Sequence, residues 1–231
     1  VIAVEKDHRA IEELTKEFSL DRIQKGGAVF NIQRLAWING FYIRKKSLEE
    51  LTTLCIPYFV KADFITPLWE DKIDNFDPFS WYWRQRKIVQ EKFKINESGE
   101  VIPFEKTARI VSLYQERLKK LSEITELADF FFKEKLEYEK ELLRWKDAGA
   151  EQIKENLEKV HTLLTGVGEN DWTKEKLEKT IMPEAEKLSN RGFMLWPMRA
   201  ALSGKKASPG PFEIAEVLGK LIDKALAEVG G

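Results

Sequence analysis

The chain has 231 residues, 43% hydrophobic and 33% charged, with a formal net charge of -1. That length suits one large domain or two to three small ones. The near-zero charge excludes a global field for nucleic acid, so any basic surface has to be local. The single cysteine, Cys55 in "LTTLCIPYF", excludes a disulfide framework and a cysteine metal cluster and fits a reducing compartment.

In chain order, "DHRAIEELTKEF" sets Ile11, Leu14 and Phe18 at helical spacing behind an Asp7 N-cap. "GG" at 26–27 breaks the chain, and "NIQRLAWINGFYIRK" is a second helix. "SLEELTTLCIPYF" opens with a capping box, Ser47 to Glu50. A tryptophan-rich stretch follows, and "KINESGEVIPF" has the turn residues of a small hairpin. From Thr107, "ARIVSLYQERLKKLSEITELADFFF" carries a sustained helical period. Residues 133–160 are helix formers with dense alternating charge, the pattern of a solvent-facing helix. "TGVGEN" is a break, and Asp171 or Thr173 caps the next helix. "GPFEIAEVLGK" places Gly210 at an N-cap, Pro211 at N1 and Gly219 at the C-terminal end. The expected fold is all-α with a few short strands. Apolar runs fall far short of the roughly 18 residues of a membrane span, and the first residues lack a signal-peptide pattern. They also lack an initiator methionine, which points to a piece of a longer chain.

Catalytic patterns are missing. His8 and His161 are isolated, with no H-x-x-x-H or H-x-E around them. There is no G-x-S-x-G and no phosphate loop; "SGKKAS" lacks the upstream glycine. Basic clusters are more informative. Residues 22–48 hold Arg44, Lys45 and Lys46 among others and no acid; 81–94 interleave bases with aromatics. "RLKK" contains Lys119 and Lys120, and Lys205 and Lys206 flank a Ser-Pro-Gly-Pro bend. Such patches suit a polyanion that touches several places, but from composition alone an ordinary solvated surface is the favoured explanation.

The bend "WPMRAALSGKKASPGPFEIAEVLGK" shifts that balance. A Gly-Pro helix start leaves backbone N–H groups free, a Pro-Gly-Pro corner offers a flat surface to an unstacked base, and Arg199 supplies a planar donor fork. Sequence-specific RNA recognition works by stacking and edge contacts to splayed bases.

The segments 18–51, 116–132 and 196–220, with "LAWINGFYIR" and "PMRAALSGKKASPG" at their centre, resemble the C-terminal half of bacterial glutamyl-tRNA synthetase. The resemblance implies an end of a stem-contact region at 1–62 and two α-helical anticodon-binding domains at 63–140 and 141–231. It implies that Arg199 contacts the middle anticodon base. Trp196 stands where some members carry a polar side chain aimed at that base. Ser208, Pro209, Gly210 and Pro211 match the loop that holds the first base. Arg117 matches an arginine that reads the third base, favouring C over G. Arg44, Lys45, Lys46, Lys119, Lys120, Lys205 and Lys206 are the candidates for the tRNA backbone. No H-x-G-H is present, and "EKLSNR" is only faintly like the second ATP signature, with Asn190 in place of its lysine. The resemblance thus implies a non-catalytic fragment without a metal site. Its parent would use ATP and magnesium to join glutamate to tRNA in the cytoplasm. The implied partner is a glutamate-accepting tRNA, with a glutamine-accepting one also open, and the implied state a monomer. The rival reading is a helical protein-interaction module built on 133–160.

Overall fold

The computed structural model describes residues 31–68 and 91–219, with Thr15, Lys16 and Ser19. Most of the helix expected around 7–18, the break at 26–27 and most of the tryptophan-rich stretch lie outside the described residues. Within them the fold is mostly helical, with one small sheet.

Helix α1 (Ile32–Lys45) starts where the Asn31 side chain accepts a hydrogen bond from the Arg34 N–H at 2.9 Å. It ends with Arg44 and Lys45 in its last turn, where cations suit the helix dipole. Helix α2 (Leu48–Lys61) is capped by Ser47, whose hydroxyl accepts from the Glu50 N–H at 3.1 Å. Glu50 does not complete a reciprocal capping box, because its carboxylate pairs with Lys46. Leu51, Cys55, Ile56 and Phe59 recur on one face of α2 and are fully buried, as its 3.6-residue period requires.

Three short strands follow: β1 (Ile65–Pro67), β2 (Lys92–Ile95) and β3 (Val101–Pro103). They form an antiparallel sheet in the order β1-β2-β3, with Ile65 opposite Ile95 and Phe93 opposite Ile102. These four side chains are buried while Lys92, Lys94 and Val101 face out, the period-two alternation of a one-sided sheet. β2 and β3 are the hairpin read from "KINESGEVIPF".

Two helical expectations are corrected. The stretch after Thr107 is not one helix. Helix α3 (Phe104–Ser112) stops, turns occupy 113–122, and helix α4 (Glu123–Ala128) leads into a 3-10 turn, Asp129–Phe132. Successive turns still bond at i to i+3, as Tyr114 N–H to Val111 and Arg117 N–H to Tyr114 do. A near-helical hydrophobic spacing therefore survives without a helix. The Tyr114 hydroxyl donates to the Leu127 carbonyl at 2.7 Å and ties the loop shut. Residues 133–149 are likewise not helical apart from a 3-10 turn at Lys140–Leu143. They form an extended strap that lays Leu136, Tyr138, Leu142 and Leu143 on the core. The charged helix that supported the interaction-module reading therefore begins only at Ala150.

Helix α5 (Ala150–Thr165), α6 (Lys174–Ala185, capped by Thr173), α7 (Gly192–Ser203) and α8 (Pro211–Leu218) complete the fold. α7 is the central element, packed against α5, α6 and α8 and against the 3-10 turns Asp129–Phe132 and Lys140–Leu143. Pro197 sits inside α7. It has no N–H to give to the Phe193 carbonyl one turn earlier. The buried Asn156 of α5 fills that vacancy, donating its amide to Phe193 O at 3.0 Å.

Candidate nucleic-acid interface

α7 and α8 are joined by residues 204–210. Gly204 ends α7 in the left-handed region at φ 63°, where glycine is favoured. Ser203 bonds back to the Arg199 carbonyl at 2.8 Å, its hydroxyl donating. As read from the sequence, α8 begins with Gly210 at the N-cap and Pro211 at N1, and Gly219 caps its end.

Arg199 is half-buried against this loop. Its Nη1 donates to Ser208 Oγ at 2.8 Å, its Nη2 donates to the Lys206 carbonyl at 3.0 Å, and its guanidinium carbon lies 4.4 Å from the centre of the Trp196 ring. Trp196 is committed in turn. Its Nε1–H donates to the Leu142 carbonyl at 2.9 Å, and its ring packs on Trp145 at 4.9 Å with a 37° tilt. Burial, followed by repulsion from Arg117, holds the Arg199 pKa below the ordinary guanidinium range. Arg117 is exposed. The fold thus brings within electrostatic reach two arginines that the sequence separates by most of the helical half, with no acidic ion-pair partner to either among the described residues.

The proline corner differs from expectation. Pro209 is buried, and only Gly210 and Pro211 are partly open. A ring without a donor is inexpensive to bury, and it stiffens the loop from beneath. The start of α8 also has an anion already. Glu213, in its first turn, is held by Lys174 at 2.8 Å and lies directly over Gly210. That bond, then the carboxylate's charge, raises the Lys174 pKa.

The basic candidates divide into engaged and open ones. Lys46 pairs with Glu50, and Lys45 sits 4.2 Å over the Phe41 ring. Lys205 lies 2.8 Å from Asp129 Oδ1, an approach too oblique for a hydrogen bond to that buried oxygen, while Lys133 takes Oδ2 at 3.0 Å. Lys119, Lys120 and Lys206 are exposed, and their ammonium groups have no acid within ion-pair distance among the described residues. Arg44, half-exposed, stands beside Lys119. The Gln115 amide donates to the Lys46 carbonyl at 2.9 Å, Asn39 donates to the Lys119 carbonyl, and Gly40 admits the Leu118 backbone so closely that a β-carbon would sit 3.2 Å from its oxygen. The first and third basic clusters are therefore one surface. Asp129, Trp145 and Asn156 carry no signal of their roles in the sequence, since each depends on a partner far along the chain.

The described fold is mostly helical and leaves Lys119, Lys120 and Lys206 exposed. The chain matches the family model described as "Anticodon binding domain" over residues 80–223. The chain belongs to that family. It is 31% identical over 215 residues to the glutamate–tRNA ligase of Clostridium botulinum, covering 91% of this chain and 36% of the relative. It is 33% identical over 217 residues to glutamate–tRNA ligase 1 of Caldicellulosiruptor saccharolyticus, covering 91% and 37%. The chain thus spans about a third of the curated relatives' length. In fold it is similar to the crystal structure of a glutamate tRNA ligase from Elizabethkingia meningosepticum, with a TM-score of 0.66, 18% identity, and 96% of this chain and 36% of that one covered.

Proposed function

We propose that this chain reads the anticodon of a glutamate-accepting tRNA, as part of a ligase that joins glutamate to that tRNA. Arg199 contacts the middle base, Arg117 the third, and the Ser208–Pro211 loop holds the first. Lys119, Lys120 and Lys206, with Arg44 and Lys45, meet backbone phosphates; Lys46 and Lys205 stand in ion pairs and hold the protein surface instead. The observation that carries the reading is the half-buried Arg199, held on the 204–210 loop by Ser208 and the Lys206 carbonyl and without an acidic ion-pair partner among the described residues. A guanidinium without a carboxylate calls for an acceptor-rich ligand.

ATP and magnesium belong to the remainder of the ligase. Among the described residues no group of three or more His, Cys, Asp or Glu side chains is placed to hold a metal. No described helix is long and apolar enough to cross a membrane. The reading also includes a monomer acting in the cytoplasm.

The test is a binding titration of the chain with glutamate tRNA and with transcripts changed at each anticodon base. Arg199→Ala weakens binding by about tenfold to a hundredfold, the scale of one to two lost charged contacts, and keeps a cooperative thermal melt. Unchanged affinity removes the assignment.

A further inference from the structure

The contacts of Trp196 define a role different from meeting a nucleotide. Its N–H is committed to Leu142 and its ring is shared between Trp145 and Arg199. The indole is thereby fixed by the strap on one side and on the other supports the guanidinium of Arg199, one turn further along its own helix. Arg199 is then held at two further points, Ser208 Oγ and the Lys206 carbonyl. A guanidinium carries five N–H donors; two are used here, so three remain, in a plane that the ring and the loop fix together.

We propose that Trp196 is a positioning residue that sets how Arg199 distinguishes one base from another, with Ser208 as its second support. The inference rests on the reading of Arg199 given above. A flexible arginine attracts any acceptor, phosphate included. One held flat presents donors at a set angle and separates base edges, since edge readout depends on the direction of the N–H bonds. Trp196 contributes that angle without touching RNA. An aromatic ring is suited to the task because a guanidinium stacks on it while leaving its own in-plane donors unspent.

The experiment is a double-mutant cycle on the full chain. Affinities are measured for the glutamate tRNA and for a transcript changed at the middle anticodon base, and their ratio is the readout. Trp196→Leu reduces that ratio about tenfold, equivalent to one well-made contact, and does so without further effect in an Arg199→Ala background. Trp196→Phe, which keeps a ring under the guanidinium, retains most of the ratio. The Arg199 Nε–H resonance, sharp in the wild type, broadens in Trp196→Leu and persists in Trp196→Phe. If Trp196→Leu does not melt cooperatively, Ser208→Ala decides the matter on the same ratio, in the same direction. A ratio that Trp196→Leu and Ser208→Ala leave intact while Arg199→Ala abolishes it overturns this inference and keeps the reading of Arg199. A fall that is as large in the Arg199→Ala background also overturns it. An Arg199→Ala chain that discriminates like the wild type overturns both.

Discussion

The Cys55 thiol lies wholly inside the fold, and burial pushes its pKa from its ordinary 9.0 to about 12. Tyr114 is shifted the same way, chiefly by burial, with Arg117 opposing and Asp129 adding. In both cases the folded value is the higher one. The unfolded chain therefore loses protons first, and stability is full below about pH 9 and falls as pH rises from there towards 12. The slope is up to about 1.4 kcal/mol per pH unit for each such group. Urea unfolding at pH 8 to 10.5 should show this decline, and Cys55→Ala should make it shallower, whatever its effect at pH 8. A thiol reagent should leave native Cys55 untouched at pH 8 and label it only in denaturant. At this scale the sequence was informative where partners are close along the chain: Arg199 and Ser208 are nine positions apart, and Ser47 caps its own helix. It was silent on the commitment of Trp196, because the acceptor, Leu142, belongs to a strap 54 positions away.

Helices α5 and α7 meet through a chemical mismatch that their packing resolves. Pro197 removes a backbone donor and Asn156 replaces it from the neighbouring helix. Asn156→Leu should cost about 1–3 kcal/mol, the penalty of an unpaired buried carbonyl. In a Pro197→Ala background, where residue 197 regains its N–H, the same change should cost markedly less; urea unfolding of the four chains measures the difference. Ser47→Ala should cost about 1 kcal/mol at the start of α2. Elements were legible in the sequence where a cap and a period coincide, as in α1, α2, α6 and α8. They were not legible at 113–122, where turns reproduce helical spacing, nor at 133–149. There helix-forming residues are drawn into an extended path because Leu136, Tyr138 and Leu143 gain more by lying on the core than by coiling.

Across the whole molecule, a net charge of -1 leaves the few open lysines to set the ionic response. Three exposed lysines with two or three neighbouring cations predict a slope of log affinity against log salt between about -2 and -4 for single-stranded contacts. Lys206→Ala should flatten that slope by about 0.7. Lys205→Ala should leave it nearly unchanged, because its charge is matched by Asp129. A salt titration of the three chains distinguishes these outcomes. The architecture was legible as a whole because distinctive segments recur in one order. The electrostatic reach of Arg117 to Arg199 was not, since the two lie far apart along the chain.

Gly192 stands behind this arrangement. A β-carbon there would lie 2.6 Å from Cε2 of Trp145, against the indole that supports Trp196. Any larger residue would force that indole aside, and the displacement would pass from one ring to the next until it tilted the guanidinium. On the proposed reading of Arg199, discrimination among anticodons would therefore shift with a change at Gly192, and a search for altered specificity confined to the proposed contact residues would overlook it.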